Sequence, residues 1–205
     1  MILATTNGVA KELIPAGNYI ARCYQMLEIG TVEEAYQGEA KTQKKVRIGW
    51  ELPTELRVFN TEKGEQPMVI SQEYTLSMHE KSNLRKTLAS WRGKDFTEGE
   101  AKSFDITKLL GAACMLNIIH RPGKTDPSKM YQAISSISAM PKGVTAPKAI
   151  NKPVILSYDG WDEELFNILP DFIRDKMKGS QEYKQMQHPE SVQMHQELID
   201  DGLPF

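Results

Sequence analysis

Seven residues constrain this chain more than any others: Val46-Arg47-Ile48-Gly49-Trp50-Glu51-Leu52. Val46, Ile48, Trp50 and Leu52 fall on alternate positions, and Arg47 and Glu51 point the other way. Successive side chains of a strand leave opposite faces, so this pattern predicts a strand with one apolar face. Before it, the turn Ala16-Gly17-Asn18 leads into Tyr19–Ile29, where β-formers mix with polar residues as in a long, partly exposed strand. Residues Thr31 to Lys45 between them are polar and are expected to be flexible. Pro53 to Pro67 reads as a loop in which Leu56-Arg57-Val58-Phe59 can begin a strand, and Met68–Met78 predicts a third strand.

The period then changes. Leu84, Leu88 and Trp91 lie at helical spacing behind Ser82, a good cap, which predicts a helix over 82–92. A shorter helix fits Asp105–Leu110, ended by Gly111. Ala113–His120 is an apolar strand, Arg121–Lys129 a basic turn, and Met130–Met140 its hairpin partner. The predicted class is mainly β (α+β). Five strands with helices between the third and fourth match the order of an OB-fold-like barrel, a small Greek-key architecture that often binds oligonucleotides. Small α+β domains of other kinds share that order. Pro141, Pro147 and Pro153 mark a bent linker. The amphipathic run Asp162–Met177, interrupted at Pro170, predicts two short helices docking Leu165, Phe166, Leu169, Phe172, Ile173 and Met177 on the body. The expected divisions are a body over 1–142, linker and docking helices over 143–178, and a flexible acidic tail over 179–205.

Composition narrows the class. With 205 residues, 40% hydrophobic and 25% charged, the chain can bury an adequate core without staples. Two cysteines make no disulfide framework, and no apolar run approaches the roughly 20 residues of a membrane span. Met1–Glu12 does not read as a signal peptide, so a cytoplasmic protein is expected. The net charge of −2 is uneven: residues 1–150 carry +4 and residues 151–205 carry −6. A basic body with an acidic tail suits contact with nucleic acid and its regulation.

The segment Asp200-Asp201-Gly202-Leu203-Pro204-Phe205 combines two carboxylates with an apolar, conformationally restricted end. Leu203 and Phe205 can fill an apolar pocket, Pro204 limits the entropy lost on docking, and the acids suit a basic surround. This segment resembles the acidic C-terminal tip of bacterial and phage single-stranded DNA-binding proteins, with Gly202 standing where that family usually has another acid. Gly111–His120, Tyr131–Ser138 and Pro141-Lys142-Gly143 resemble, more diffusely, phage-encoded replication proteins of this kind. The resemblance implies an OB-fold that coats single strands without sequence preference. It also implies a tip (Asp200, Asp201, Leu203, Pro204, Phe205) that recruits replication, recombination and repair proteins in a host cytoplasm.

Single-strand binders need cations along the phosphates and aromatic faces for the bases. Lys41, Lys44, Lys45 and Arg47 enter the second strand, and Arg121, Lys124 and Lys129 lie in the hairpin between the fourth and fifth. In an OB-fold the two sets are expected to flank one groove. Arg85, Lys86, Arg92 and Lys94 form a third basic set on or after the helix. Tyr36 in the polar loop and Tyr131 beside the basic turn are the preferred stacking residues, while Trp50, Trp91 and Tyr74 read first as core.

No enzyme is expected. Pro122-Gly123-Lys124-Thr125 lacks the upstream glycine of a phosphate loop, the four histidines are scattered, and Cys23, Cys114 and His120 show no zinc spacing. No cofactor or metal is predicted. The second reading is an OB-like adaptor that uses the groove for a protein, favoured by the modest charge of the body. A homo-oligomer and a choice of DNA or RNA both stay open.

Overall fold

A computed structural model describes residues 12–36, 39–123 and 126–188. Its centre is a hairpin of two long strands, β1 (Gly17–Tyr36) and β2 (Glu39–Asn60). β3 (Gly64–Thr75) lies beside β2; β4 (Ala113–Pro122) and β5 (Met130–Ser138) lie beyond β1. The order β3-β2-β1-β4-β5 is antiparallel throughout, and the sheet curls into a half-barrel. Three hairpin-linked strands with a fourth returning beside the first make a Greek key. The protein is therefore mainly β, as the strand order predicts.

The alternation in Val46–Leu52 is real and sits in the middle of β2. Val46, Ile48, Trp50 and Leu52 are buried against the concave side, with Ala21, Cys23 and Met26 from β1 and Leu116 and Ile118 from β4. α1 (Asn83–Arg92) closes this core. Ser82 Oγ accepts from Arg85 N at 3.1 Å, Gly93 ends the helix at φ 75°, and Leu84, Leu88 and Trp91 turn inward. Trp91 Nε1 donates to Ala113 O on β4 at 2.9 Å and Ser90 Oγ to Ile137 O on β5 at 2.5 Å. α1 thus spans the space between the two ends of the strand path. Tyr74, like Trp50 and Trp91, is core.

Two stretches differ from expectation. Residues 31–36 and 39–45 are paired strand: Thr31 faces Lys44 and Tyr36 faces Glu39. The hairpin continues there as a ribbon, whose polar side chains hide the strand from any hydropathy pattern. Residues 53–60 likewise continue β2, and the turn to β3 is held by Glu62 N donating to Asn60 Oδ1 at 2.8 Å. Between α1 and β4 there is also α2 (Glu98–Lys102), whose Thr97 and Glu100 form a reciprocal capping box. The predicted helix after Asp105 is a single 3-10 turn, Ile106–Leu109.

The convex side of β1 and β2 carries a second layer. β6 (Val154–Leu156) pairs parallel to β1 at Gln25–Leu27, just past a bulge at Cys23/Gln25. α3 (Glu163–Ile168) and α4 (Asp171–Lys178) follow, broken at Pro170 as predicted. Phe166, Leu169, Ile173 and Met177 bury against Leu27, Ile29 and Val32. Phe172 does not join them: it is 60% exposed. Docked structure also continues past 178, into α5 (Gln181–Gln187). Gly30, at φ 91°, leaves room for this: a Cβ there would stand 2.7 Å from Ser180 Cβ. Glu182 accepts from Thr31 N and Thr31 Oγ1 at 2.6 and 2.8 Å. Residues 189–205 lie outside the described residues. Among the described residues no helix is long and apolar enough to cross a membrane.

The linker is latched to the sheet. Glu51 is fully buried on the convex face, and its two carboxylate oxygens accept from Ile150 N at 2.9 Å and Asn151 N at 2.7 Å. Its cross-strand neighbour Arg22 donates to the carbonyls of Pro147, Ala146 and Gly111. Removing the carboxylate strands two amide donors, each at a cost of about 1–3 kcal/mol. Glu51→Ala is expected to lower the unfolding free energy by about 2–4 kcal/mol in a urea titration, while Glu62→Ala on the exposed turn changes it by under about 0.5 kcal/mol. Equal effects would show that the latch contributes nothing.

Candidate nucleic-acid interface

The cations of the second strand are drawn into the fold. Lys44 Nζ lies 2.6 Å from Glu28 and 3.9 Å from Glu182, and the Glu28 hydrogen bond raises its pKa. Lys45 meets Glu34 at 2.9 Å. Arg47 meets Glu73 at 3.2 Å, and its guanidinium sits 5.3 Å from the Phe172 ring centroid. Lys176 of α4 joins Glu34 and Glu73 at 2.6 Å each. Lys44 and Arg47 therefore fasten the C-terminal layer to the ribbon. The carboxylates that hold these cations are far from them in the chain, which is why spacing alone does not separate them from a phosphate-binding set.

The hairpin between β4 and β5 lies elsewhere. β4 pairs with the start of β1, Ile118 facing Gly17, and runs on past it. Lys44 faces Thr31, fourteen residues further along β1, roughly 45 Å of extended strand. The two basic sets thus occupy opposite ends of β1 and do not share the single groove expected from the OB-fold. In the third set Arg85 and Arg92 are structural too. Arg85 is buried, 2.9 Å from Glu98 and 3.4 Å from Asp95, and donates to the carbonyls of Met78 and Phe96. Arg92 bonds Glu100 and lies over the Phe96 ring.

What the fold brings beside the β4–β5 hairpin is the β2–β3 hairpin. With Arg22 facing Glu51, β2 also runs past the start of β1, so its turn at 60–64 projects from the same end. Each tip exposes an aromatic and an aliphatic side chain: Phe59 (62% exposed) with Val58, and Tyr131 (53%) with Met130. Arg57 and Lys63 accompany the first pair; Arg121, facing Tyr131 in the register, and Lys129 accompany the second. Residues 12–15 run between the hairpins: Glu12 meets Arg57 at 3.4 Å, Ile14 N donates to Gln132 Oε1 at 2.9 Å, and His120 Nε2 lies 2.7 Å from Ile14 O. Tyr131 is held over the backbone, since a Cβ on Gly123 would stand 2.7 Å from its ring. Lys129 lies 3.5 Å from Asp126, whose carboxyl is held low by bonds from Ser128. Lys124, the Tyr36 side chain and the 200–205 segment lie outside the described residues. The sequence reading passed over Phe59. Its signal is present, as Leu56-Arg57-Val58-Phe59 followed by a turn.

Between these ends the backbone at Gly49 is covered by side chains of β1: a Cβ there would stand 3.1 Å from Gln25 Cβ and 3.4 Å from the Tyr24 ring. Val69, Ile150 and Phe172 are exposed apolar side chains. Burial raises the Tyr24 pKa, reinforced by Glu51 and opposed by Arg47. The cysteines and His120 form no metal centre: Cys23 and Cys114 are buried and free, with burial pushing the Cys23 thiol to about 12, and His120 is committed to the Ile14 carbonyl. Comparison with protein-family models, curated proteins and solved structures finds no match for this chain.

The ribbon network carries a pH dependence. Hydrogen bonds from Lys176 and then Lys45 hold Glu34 below the ordinary 4.5. A depressed folded-state pKa contributes stability that is present above the unfolded value and lost as pH falls through the folded one. Wild-type stability is expected to drop below about pH 4.5, and Glu34→Gln to flatten that part of the curve, as read by urea midpoints at stepped pH. An unchanged slope in Glu34→Gln would assign the acid sensitivity elsewhere.

Proposed function

We propose that this protein binds single-stranded DNA through an OB-like barrel, coating the strand without sequence preference during phage replication and recombination. The observation that carries the reading is the pair of hairpin tips at one end of the sheet, each offering an exposed aromatic beside cations. Rings that stack on any base, flanked by charges for the phosphates, are what a sequence-tolerant single-strand binder requires. Phe59 and Tyr131 stack, and Arg57, Lys63, Arg121 and Lys129 contact the backbone. The Greek-key order supports the barrel: the OB-fold is a partly open Greek-key barrel of five strands, and here β3 and β5, the ends of the path, approach each other across α1. The resemblance of Asp200–Phe205 to the tips of single-strand binders supports recruitment of replication and repair proteins by that segment.

An adaptor reading is favoured by a different observation. Ile168 and Phe172 flank Pro170 as exposed apolar residues on the C-terminal layer, away from the hairpins, and suit docking by a protein.

A titration of the full chain with fluorescent oligo-dT of about 30 nucleotides, beyond the 4–16 usual for one such barrel, separates the readings. The single strand is expected to bind well ahead of the matching duplex, with a log–log salt slope of about −0.7 per phosphate. Phe59→Ala/Tyr131→Ala is expected to lose about 1–3 kcal/mol per stacked base, with an unchanged circular dichroism spectrum. Equal affinity of this variant and wild type, or no binding at low salt, puts the adaptor reading first.

A further inference from the structure

From Ile106 to Tyr158 the sequence holds one acid, Asp126, against seven lysines and arginines. That stretch contains β4, β5 and the linker that follows them. The fold lays much of it on one surface. Cys114, Leu116 and Ile118 bury on the concave side, so Met115, Asn117 and Arg121 face the convex side. Arg22 of β1 faces that side too, since its neighbours Ala21 and Cys23 are core. Tyr131, opposite Arg121, shares the face. Midway along it the Asn117 side-chain amide donates to Asn18 Oδ1 at 2.8 Å.

The linker crosses the same face as a strap. Val144 N donates to Pro141 O at 3.2 Å, where Gly143 turns the chain at φ 81°. Arg22 then holds the carbonyls of Ala146 and Pro147, and Glu51 holds the amides of Ile150 and Asn151. The strap's backbone is therefore fixed by the sheet beneath it. Lys142 sits in the turn, Lys148 directly follows the first anchor and Lys152 the second. All three are exposed, and among the described residues none has a carboxylate within 4.0 Å. Lys44, Lys45 and Lys176, by contrast, are each paired with a glutamate. The carboxylate under the strap is Glu51, and Arg22 stands opposite it in the register. With Arg22 set against Glu51, the strap keeps an excess of three positive charges.

We propose that this strap binds the phosphate backbone of a single strand through Lys142, Lys148 and Lys152. The inference rests on the single-strand reading above and extends its path. From Arg121 at the hairpin tip to Ala113, which faces Arg22, β4 runs eight residues, roughly 26 Å of extended strand. β4 and β5 carry no carboxylate over their length, so nothing on them repels a phosphate between the two cationic ends. A strap already fixed in place also loses little freedom on binding.

The full chain is titrated with fluorescent oligo-dT of about 30 nucleotides, beyond the 4–16 usual for one barrel. Lys142→Gln/Lys148→Gln/Lys152→Gln is expected to bind about tenfold more weakly, with a salt slope shallower by about 2, at about 0.7 per phosphate. Lys81→Gln/Lys86→Gln/Lys178→Gln removes the same charge from exposed positions elsewhere and is expected to keep both values. Bound strand is also expected to shield Lys142, Lys148 and Lys152 of the wild type from acetylation by an N-hydroxysuccinimide ester, read by peptide mass spectrometry, and to leave Lys86 and Lys178 reactive. Equal losses in the two lysine variants assign the effect to net charge and overturn the strap. An unaltered slope in the strap variant, with Phe59→Ala/Tyr131→Ala still defective, also overturns it and leaves the single-strand reading standing. If wild type binds no strand at low salt, that reading falls and takes the strap with it.

Discussion

A strand of twenty residues has two edges and two faces to satisfy, and β1 meets that demand with almost every other part of the molecule. One edge is taken by β2 from Arg22 to Tyr36. The other is shared: β4 pairs with Gly17–Arg22 and β6 with Gln25–Leu27. The bulge at Cys23/Gln25 lies where one partner gives way to the next. A bulge bends a strand and deepens its twist, which is what a curling sheet requires. The concave face buries Ala21, Cys23 and Met26 in the main core, and the convex face buries Leu27, Ile29 and Val32 under the C-terminal helices. Unpaired backbone or an uncovered apolar face in so long a strand would cost more than the fold can spare.

The same demand explains how charge is divided. The ribbon beyond Gly30 is too polar to be held by burial, so Lys44, Lys45, Arg47 and Lys176 tie it to Glu28, Glu34, Glu73 and Glu182 across five elements. Half-buried pairs in a network hold geometry better than isolated surface pairs do. Above this end the C-terminal layer adds a cluster of rings, Tyr158, Trp161, Phe166 and Tyr183, and the Tyr158 hydroxyl reaches Ser180 Oγ at 2.8 Å. At the opposite end the hairpins outrun β1, and there aromatic and basic side chains stay in solvent. Structural cations and exposed ones thus separate along one strand.

Much of the architecture was legible wherever a residue's own neighbours decide its conformation. The alternation around Trp50 marked the concave face of β2. Ser82 with Leu84, Leu88 and Trp91 marked α1, and Pro170 marked the break between α3 and α4, because a cap, a stripe or a proline acts within one turn of helix. The ribbon at 31–36 and 39–45 was missed because its strand state rests on pairing with a partner and leaves no hydropathic trace. Phe172 was read into the docking stripe by its spacing. It is exposed because α4 turns only Ile173 and Met177 inward, and Arg47 lies over its ring instead.

By itself the sequence determined a mainly β chain, the order of its strands and helices, the core tryptophans and an amphipathic C-terminal pair of helices. All of these follow from local periodicity and turn chemistry. Only the tertiary structure decided which cations are occupied and which face solvent. A lysine in the sequence does not reveal whether a glutamate stands 2.6 Å away, as Glu28 does for Lys44 from a neighbouring strand. Nor does it reveal that Phe59 and Tyr131, seventy-two positions apart, share one end of the sheet. That depends on the register of β2 and β4 against β1, and register is set by backbone pairing over the whole strand.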